Sequence, residues 1–314
     1  MTSEKQNKTL PLKAVYCYYF PEVRSIIDRV VAAYPHETFL QSINPGLDDY
    51  HFPVIASYLR HFENQLSDLS QFPFQYVTAG ASEGIFHFLA RLAAVADKPP
   101  LYVLNGEYEG YQGYGANLGL NFTVVPEAED FPKLDPGVIF VSNPSARDGN
   151  IIDNSLINAA CQAGHKVVYD LTYVGLTDPY RFDLSHENII AAFVSLSKPF
   201  GLYYHRVGFT FSRFALPTLA VNKWFKNILS LDIAKAVLET IGETELVDRY
   251  RSFQDDAIAQ LQKDHALTVQ PSQVVILGSA ANGTVPAGWE NYSRRHNYRF
   301  CLTPYYLKKE RGFV

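Results

Sequence analysis

Apolar residues recur along this chain with two spacings, and the spacing switches repeatedly through its middle. Pro21 to Tyr34 carries Val23, Ile26, Ile27, Val30 and Val31 on a helical stripe, and Phe52 to Leu69 reads as a second amphipathic helix. From there short apolar runs alternate with helical stretches. The predicted strands are Phe74–Thr78, Leu101–Leu104, Phe122–Val125, Val138–Val141, Val167–Tyr169, Ala191–Val194 and Val207–Phe211. Helices are predicted between them over Ser82–Ala96, Tyr108–Leu118 and Asn154–Ala163. Strands that alternate with helices predict an α/β fold, a mostly parallel sheet covered on both faces. Beyond residue 215 the pattern is helical to about Lys263, and strand-like pieces follow at Val274–Leu277 and Arg299–Thr303. The organisation expected is a large domain over 48–221 and a smaller α+β domain from 1–47 and 222–314. The polar first twelve residues predict a disordered start.

Composition narrows the class. With 47% hydrophobic and 19% charged residues, 314 residues bury a sizeable core. A net charge of −5 without a basic block argues against nucleic acid as a partner. The polar N-terminus predicts no signal peptide, and no apolar run is long enough to span a membrane. Cys17, Cys161 and Cys301 are far apart and odd in number, which fits a reducing cytoplasm better than a disulfide framework. The histidines show no H-E-x-x-H spacing, so no metal site is expected.

In open α/β sheets ligands bind beyond the carboxyl ends of the strands, so chemistry is sought just after each one. The segment Ser195-Leu196-Ser197-Lys198-Pro199-Phe200-Gly201-Leu202-Tyr203-Tyr204-His205-Arg206-Val207-Gly208 follows one predicted strand and leads into another. A lysine there is costly to bury unless it pairs or reacts, and a desolvated lysine forms a Schiff base with an aldehyde. The hydroxyl of Ser195 and the guanidinium of Arg206 suit a phosphate. Read on pattern alone, the same residues fit a surface loop about equally well. Asp170 closes the strand-like run Val167–Asp170, with Tyr173 three residues on. Gly80-Ala81-Ser82 joins a strand to a helix, where glycine allows close approach and the helix start offers free N–H groups.

These segments together resemble the fold-type I pyridoxal-phosphate (PLP) enzymes, the aspartate aminotransferase superfamily. The resemblance runs well from about Tyr50 to Gly208 and loosely elsewhere. It implies a seven-stranded PLP-binding large domain. Lys198 then carries the cofactor as a Schiff base, and Ser195 and Arg206 bind its phosphate with Gly80, Ala81 and Ser82. Asp170 faces the pyridine nitrogen, and Tyr173 the ring oxygen. Tyr108, in Gly106-Glu107-Tyr108-Glu109-Gly110-Tyr111, takes the place of the aromatic that stacks on the ring, with Gly106 where a proline is usual. Asn143, in Ser142-Asn143-Pro144, is the preferred partner of the ring oxygen, while counting back from Gly149 puts Ala146 there instead. Tyr50 resembles the tyrosine that reaches the neighbouring subunit's phosphate, which implies a homodimer. Arg299 resembles the arginine that binds the substrate carboxylate, with Arg294 and Arg295 as competitors.

The function expected is a PLP-dependent aminotransferase acting on an amino acid and a 2-oxo acid. Alternatives are a PLP-dependent lyase, decarboxylase or cyclase, and a PLP-binding regulatory protein. A further one is a serine hydrolase, because Gly80-x-Ser82-x-Gly84 also satisfies the nucleophile-elbow pattern, with Asp170 and His265 or His296 in the required order.

Overall fold

The structure is a computed structural model, and it describes residues 8–16, 18, 20–35, 37, 50–222, 226–294 and 297–311. The Asn44-Pro45-Gly46 turn, Arg295 and His296 lie outside the described residues.

A large sheet is built from β1 (Phe74–Thr78), β2 (Leu101–Leu104), β3 (Phe122–Val125), β4 (Val138–Ser142), β5 (Lys166–Asp170), β6 (Ile189–Ser195) and β7 (Gly208–Ser212). Its order is β1-β7-β6-β5-β4-β2-β3. Every pairing from β6 to β3 is parallel, and β7 alone runs against its neighbours β1 and β6. The central strands are apolar at consecutive positions because both faces are covered. Val168, Phe140 and Phe193 point to one face, where α3 (Ala81–Ala93) supplies Ile85, Phe88 and Leu89. Val167, Tyr169, Ile139, Val141 and Val194 point to the other.

The remaining helices are α1 (Pro21–Ala33), α2 (His51–His61), α4 (Glu109–Asn117), α5 (Asn154–Gln162), α6 (Pro217–Asn222), α7 (Ile228–Thr240), α8 (Glu245–His265) and α9 (Thr303–Arg311). A second sheet, antiparallel, has the order β10-β9-β8, with β8 at Gln270–Pro271, β9 at Leu277–Ala281 and β10 at Asn297–Cys301.

Three expectations are corrected. The helix read over Phe52–Leu69 breaks after His61 and resumes as a single α-helical turn over Glu63–Leu66 and a 3-10 segment over Ser67–Gln71, where Gln65 and Asp68 turn inward and bond Glu243 and the Leu184 N–H. Val274–Ile276 is a turn held by Gly149 and Leu176 carbonyls, and the strand begins only at Leu277. The described part of the N-terminus is ordered: Leu12 exchanges backbone hydrogen bonds with Cys301 at 3.0 and 2.9 Å, which adds it to the edge of β10.

Candidate active site

A cavity of about 440 Å³ lies at the carboxyl ends of the parallel strands. β1 leads to Gly80–Ser82, β2 to Tyr108, β4 to Ser142, β5 to Asp170 and β6 to Ser195. The reversed β7 brings its beginning to that same end, which is why Arg206 precedes its strand while the other site residues follow theirs.

Arg206 has a left-handed backbone (φ 52°), a strained setting for a non-glycine residue. Its Nη2 donates to the Ala79 carbonyl at 2.8 Å and to Ser82 Oγ at 3.3 Å. Gly80 has φ 81°, and a Cβ there would sit 2.9 Å from that Nη2. Glycine therefore keeps open the hollow between the guanidinium and the start of α3, which carries no side-chain cap of its own. Ser195, Ser197 and Lys198 line the cavity beside Arg206. Ser197 Oγ is buried with no hydrogen-bond partner among the described residues. Behind the hollow Glu83 accepts from Ala79 N–H at 2.5 Å and pairs with Lys226 at 2.6 Å.

Asp170 is 6% exposed. It accepts from Tyr111 Oη at 2.8 Å, Thr172 Oγ1 at 2.5 Å and Thr172 N–H at 3.1 Å. Burial raises its pKa, and these donors oppose the rise. Tyr173 also lines the cavity, and burial pushes its phenol up to about 12 against the pull of Arg299. Tyr108 stands at the N-terminus of α4, half exposed, with its ring edge-on to Tyr111 at 5.3 Å.

Lys198 Nζ donates to the carbonyl of Val15, so the segment over Ala14 and Val15 forms one wall of the cavity. Thr303 Oγ1 holds the same segment at the Tyr16 carbonyl. Arg299, 3% exposed, donates to the carbonyls of Ala146 and Lys13, and its Nε has no partner among the described residues.

One sequence expectation does not meet the cavity. Asn143 is fully buried, and its amide donates to the Ile152 carbonyl and accepts from the Ile152 N–H, at 2.8 and 2.9 Å. Ala146 lines the cavity instead, so the register counted from Gly149 is the one the backbone follows. Tyr50 starts α2, half-buried against the core and away from the cavity of its own chain. The hydrolase reading does not assemble with His265, and His296 lies outside the described residues. Ser82 faces a guanidinium, and His265 is turned to the Thr9 carbonyl and the ring of Trp289.

Sequence reasoning missed four contributors. Tyr111 closes the quoted Gly106–Tyr111 motif and Thr172 lies between Asp170 and Tyr173, and their spacing from Tyr108 and Asp170 is the available signal. Ser197 stood next to the lysine. The wall at Ala14 and Val15 had no local signal, because it depends on pairing with β10.

The sequence model for "Aminotransferase class I and II" matches residues 126–270. No curated protein sequence matches the chain. Solved structures do. Histidinol-phosphate aminotransferase from Sinorhizobium meliloti, in complex with pyridoxal-5'-phosphate, is 16% identical with a TM-score of 0.66, covering 98% of this chain and 91% of that one. L-threonine-O-3-phosphate decarboxylase from Porphyromonas gingivalis is 15% identical with a TM-score of 0.65, covering 98% and 99%. A PLP-bound C-S lyase from Staphylococcus hominis is 10% identical with a TM-score of 0.69, covering 98% and 87%. The chain is thus similar in sequence over 126–270 to the class I and II aminotransferase family, and it shares the fold of these fold-type I PLP enzymes. The Staphylococcus hominis and Sinorhizobium meliloti proteins both bind pyridoxal 5'-phosphate.

The cavity fits that group. The Gly80 hollow, with one guanidinium, three serines and an uncapped helix start, suits a phosphate. A buried carboxylate beside Lys198, with hydroxyl partners and no ion pair among the described residues, suits a protonated ring nitrogen. Among the described residues no helix is long and apolar enough to cross a membrane.

Proposed function

We propose that this chain is a PLP-dependent aminotransferase that moves an amino group between an amino acid and a 2-oxo acid. The observation that carries this reading is the position of Lys198, in one cavity with Asp170 and with Arg206. When bound, PLP supplies the electron sink that makes the bond from the α-carbon to hydrogen acidic. The chain's own groups do the rest. Lys198 holds the cofactor through its amine, and that amine then takes the α-proton and returns it as general base and acid. Asp170, set by Tyr111 and Thr172, holds positive charge at the ring nitrogen. Arg206, Ser82 and Ser195 bind the phosphate with the backbone of Gly80 and Ala81. Tyr108 offers its face to the ring, and Tyr173 donates to the ring oxygen. Arg299 orients the substrate carboxylate.

Purified protein reconstituted with PLP is expected to be yellow and to lose that colour on adding a suitable amino donor. A Lys198→Ala protein that still transaminates would sink the reading. A second reading keeps the cofactor and changes the reaction to that of a lyase, decarboxylase or cyclase. It is supported by Ala146, which leaves the ring oxygen without an amide donor at that position. Pyruvate and ammonia, or carbon dioxide, released without a keto-acid acceptor would favour it.

The same proposal includes a homodimer in which Tyr50 of one chain reaches the phosphate near Arg206 of the other. Its support is the exposed aromatic surface beside Arg206, where Tyr203 and Tyr204 are 49% and 86% exposed. A monomer by light scattering that retains PLP at full strength would contradict it. The buried, unpaired Cys161 and Cys301 support a cytoplasmic location.

A further inference from the structure

Two guanidiniums, not one, face the part of the cavity that the cofactor groups leave. Lys198, Arg206, Arg294 and Arg299 line it, against the carboxylates of Asp170 and Glu109 alone among the described residues. The proposed function assigns Lys198 and Arg206 to the cofactor and Asp170 to its ring. Arg299 and Arg294 remain, and a single substrate carboxylate neutralises only one of them.

Arg299 forms no ion pair among the described residues and spends its donors on uncharged carbonyls, with Nε left over. Arg294 has a side chain 13% exposed, and its one ion pair among the described residues is with Glu109, 3.1 Å away and 79% exposed. Such a pair is weak, because its carboxylate keeps most of its water. Burial and the neighbouring Arg299 charge both lower the pKa of Arg294, and Glu109 offsets this only in part, so the two guanidiniums crowd each other. The backbone is built to hold Arg294 there. The Arg294 carbonyl packs onto Gly106, where a Cβ would lie only 2.3 Å from it and where φ is 89°. Gly106 is the position at which the resemblance predicts proline, so this departure is what admits Arg294 to the cavity wall.

We propose that Arg294 is a second anion anchor, and that the substrate is an amino acid whose side chain carries an acidic group, a carboxylate or a phosphate. Arg299 takes the α-carboxylate, deeper in the cavity, and Arg294 takes the distal acid nearer the mouth, exchanging Glu109 for it. The inference rests on the PLP-enzyme reading for the location of the cofactor groups.

The test is calorimetric titration of the PLP-loaded protein with glutarate, 4-phosphonobutyrate and butyrate, none of which carries an amine to react. Either dianion is expected to bind about tenfold or more tightly than butyrate, the size of one charge-assisted contact. Preference for glutarate identifies a carboxylate as the distal acid, and preference for 4-phosphonobutyrate a phosphate. Arg294→Gln should erase the preference and leave butyrate binding unchanged. Arg299→Gln should weaken all three ligands. Glu109→Gln, at an exposed position that does not endanger folding, should tighten the dianions alone. Equal binding of butyrate and both dianions by the native protein overturns the proposal, as does a loss of butyrate binding in Arg294→Gln as large as the loss of dianion binding. If the protein binds no PLP, its colourless spectrum reports failure of the underlying reading. A yellow protein without dianion preference reports failure of this inference alone.

Discussion

Glu107 is 5% exposed and forms no ion pair among the described residues. Its carboxyl accepts from Ser142 Oγ at 2.5 Å and from the N–H groups of Ser142 and Tyr108, both at 3.3 Å. Burial and the nearby Asp170 outweigh those donors and raise its pKa from 4.5 to about 7. The unfolded chain releases this proton first, so the stability tied to Glu107 is complete below 4.5 and is lost as pH rises through about 7. The gap corresponds to about 3 kcal/mol, at roughly 1.36 kcal/mol per pH unit. Glu107→Gln puts an uncharged group of the same size in the same place. It should cost about 1 kcal/mol at about pH 4 through a poorer fit to the Ser142 donors. At about pH 8 the removed charge should outweigh that cost, and the variant should be the more stable protein by about 2 kcal/mol. Urea unfolding of both proteins at the two pH values measures the crossing. Parallel stability curves, or a variant that is weaker at both pH values, would refute the reasoning.

Gly80→Ala should cost about 1–3 kcal/mol through its positive φ and should push the Arg206 guanidinium aside, seen as faster loss of PLP on dialysis. Lys226→Met removes the partner of a partly buried carboxylate. Burial alone would raise the pKa of Glu83, and Lys226 with the Ala79 N–H more than reverses that. The variant should therefore lose about 3 kcal/mol near neutral pH, with the difference from the native protein vanishing as pH falls and Glu83 is protonated, and Glu83→Gln in the same chain should restore part of the loss. Tyr111→Phe deletes a donor to Asp170 and should cost about 1.5–3 kcal/mol by chemical denaturation, again shrinking toward acid.

The large sheet was legible in the sequence because its information is local. Phe74–Thr78, Leu101–Leu104 and Phe122–Val125 form strands with the predicted bounds, since each is a short apolar run closed by polar or turn residues. Lys198, Asp170, Arg206 and Ser82 lie in one cavity for a related reason: the topology delivers whatever follows a parallel strand to one edge of the sheet. What failed depended on partners that the local pattern does not specify. Nothing near Asn143 indicates that its amide is committed to Ile152, because that bond closes a loop whose course the local pattern does not specify. Leu12 reads as tail until β10 is present to pair with it. The break after His61 likewise depends on Glu243 and Leu184, well over a hundred residues away.

The wall at Lys13–Tyr16 makes binding a replacement reaction. Lys198 donates to the Val15 carbonyl and Arg299 to the Lys13 carbonyl. A ligand that claims either donor gives the protein one hydrogen bond and takes one away, and it gains only the difference. The affinity measured for a carboxylate is then set as much by how well water can satisfy the released carbonyls as by the guanidinium itself. Two ligands with identical contacts to Arg299 will bind unequally if only one of them leaves the Lys13 carbonyl open to solvent.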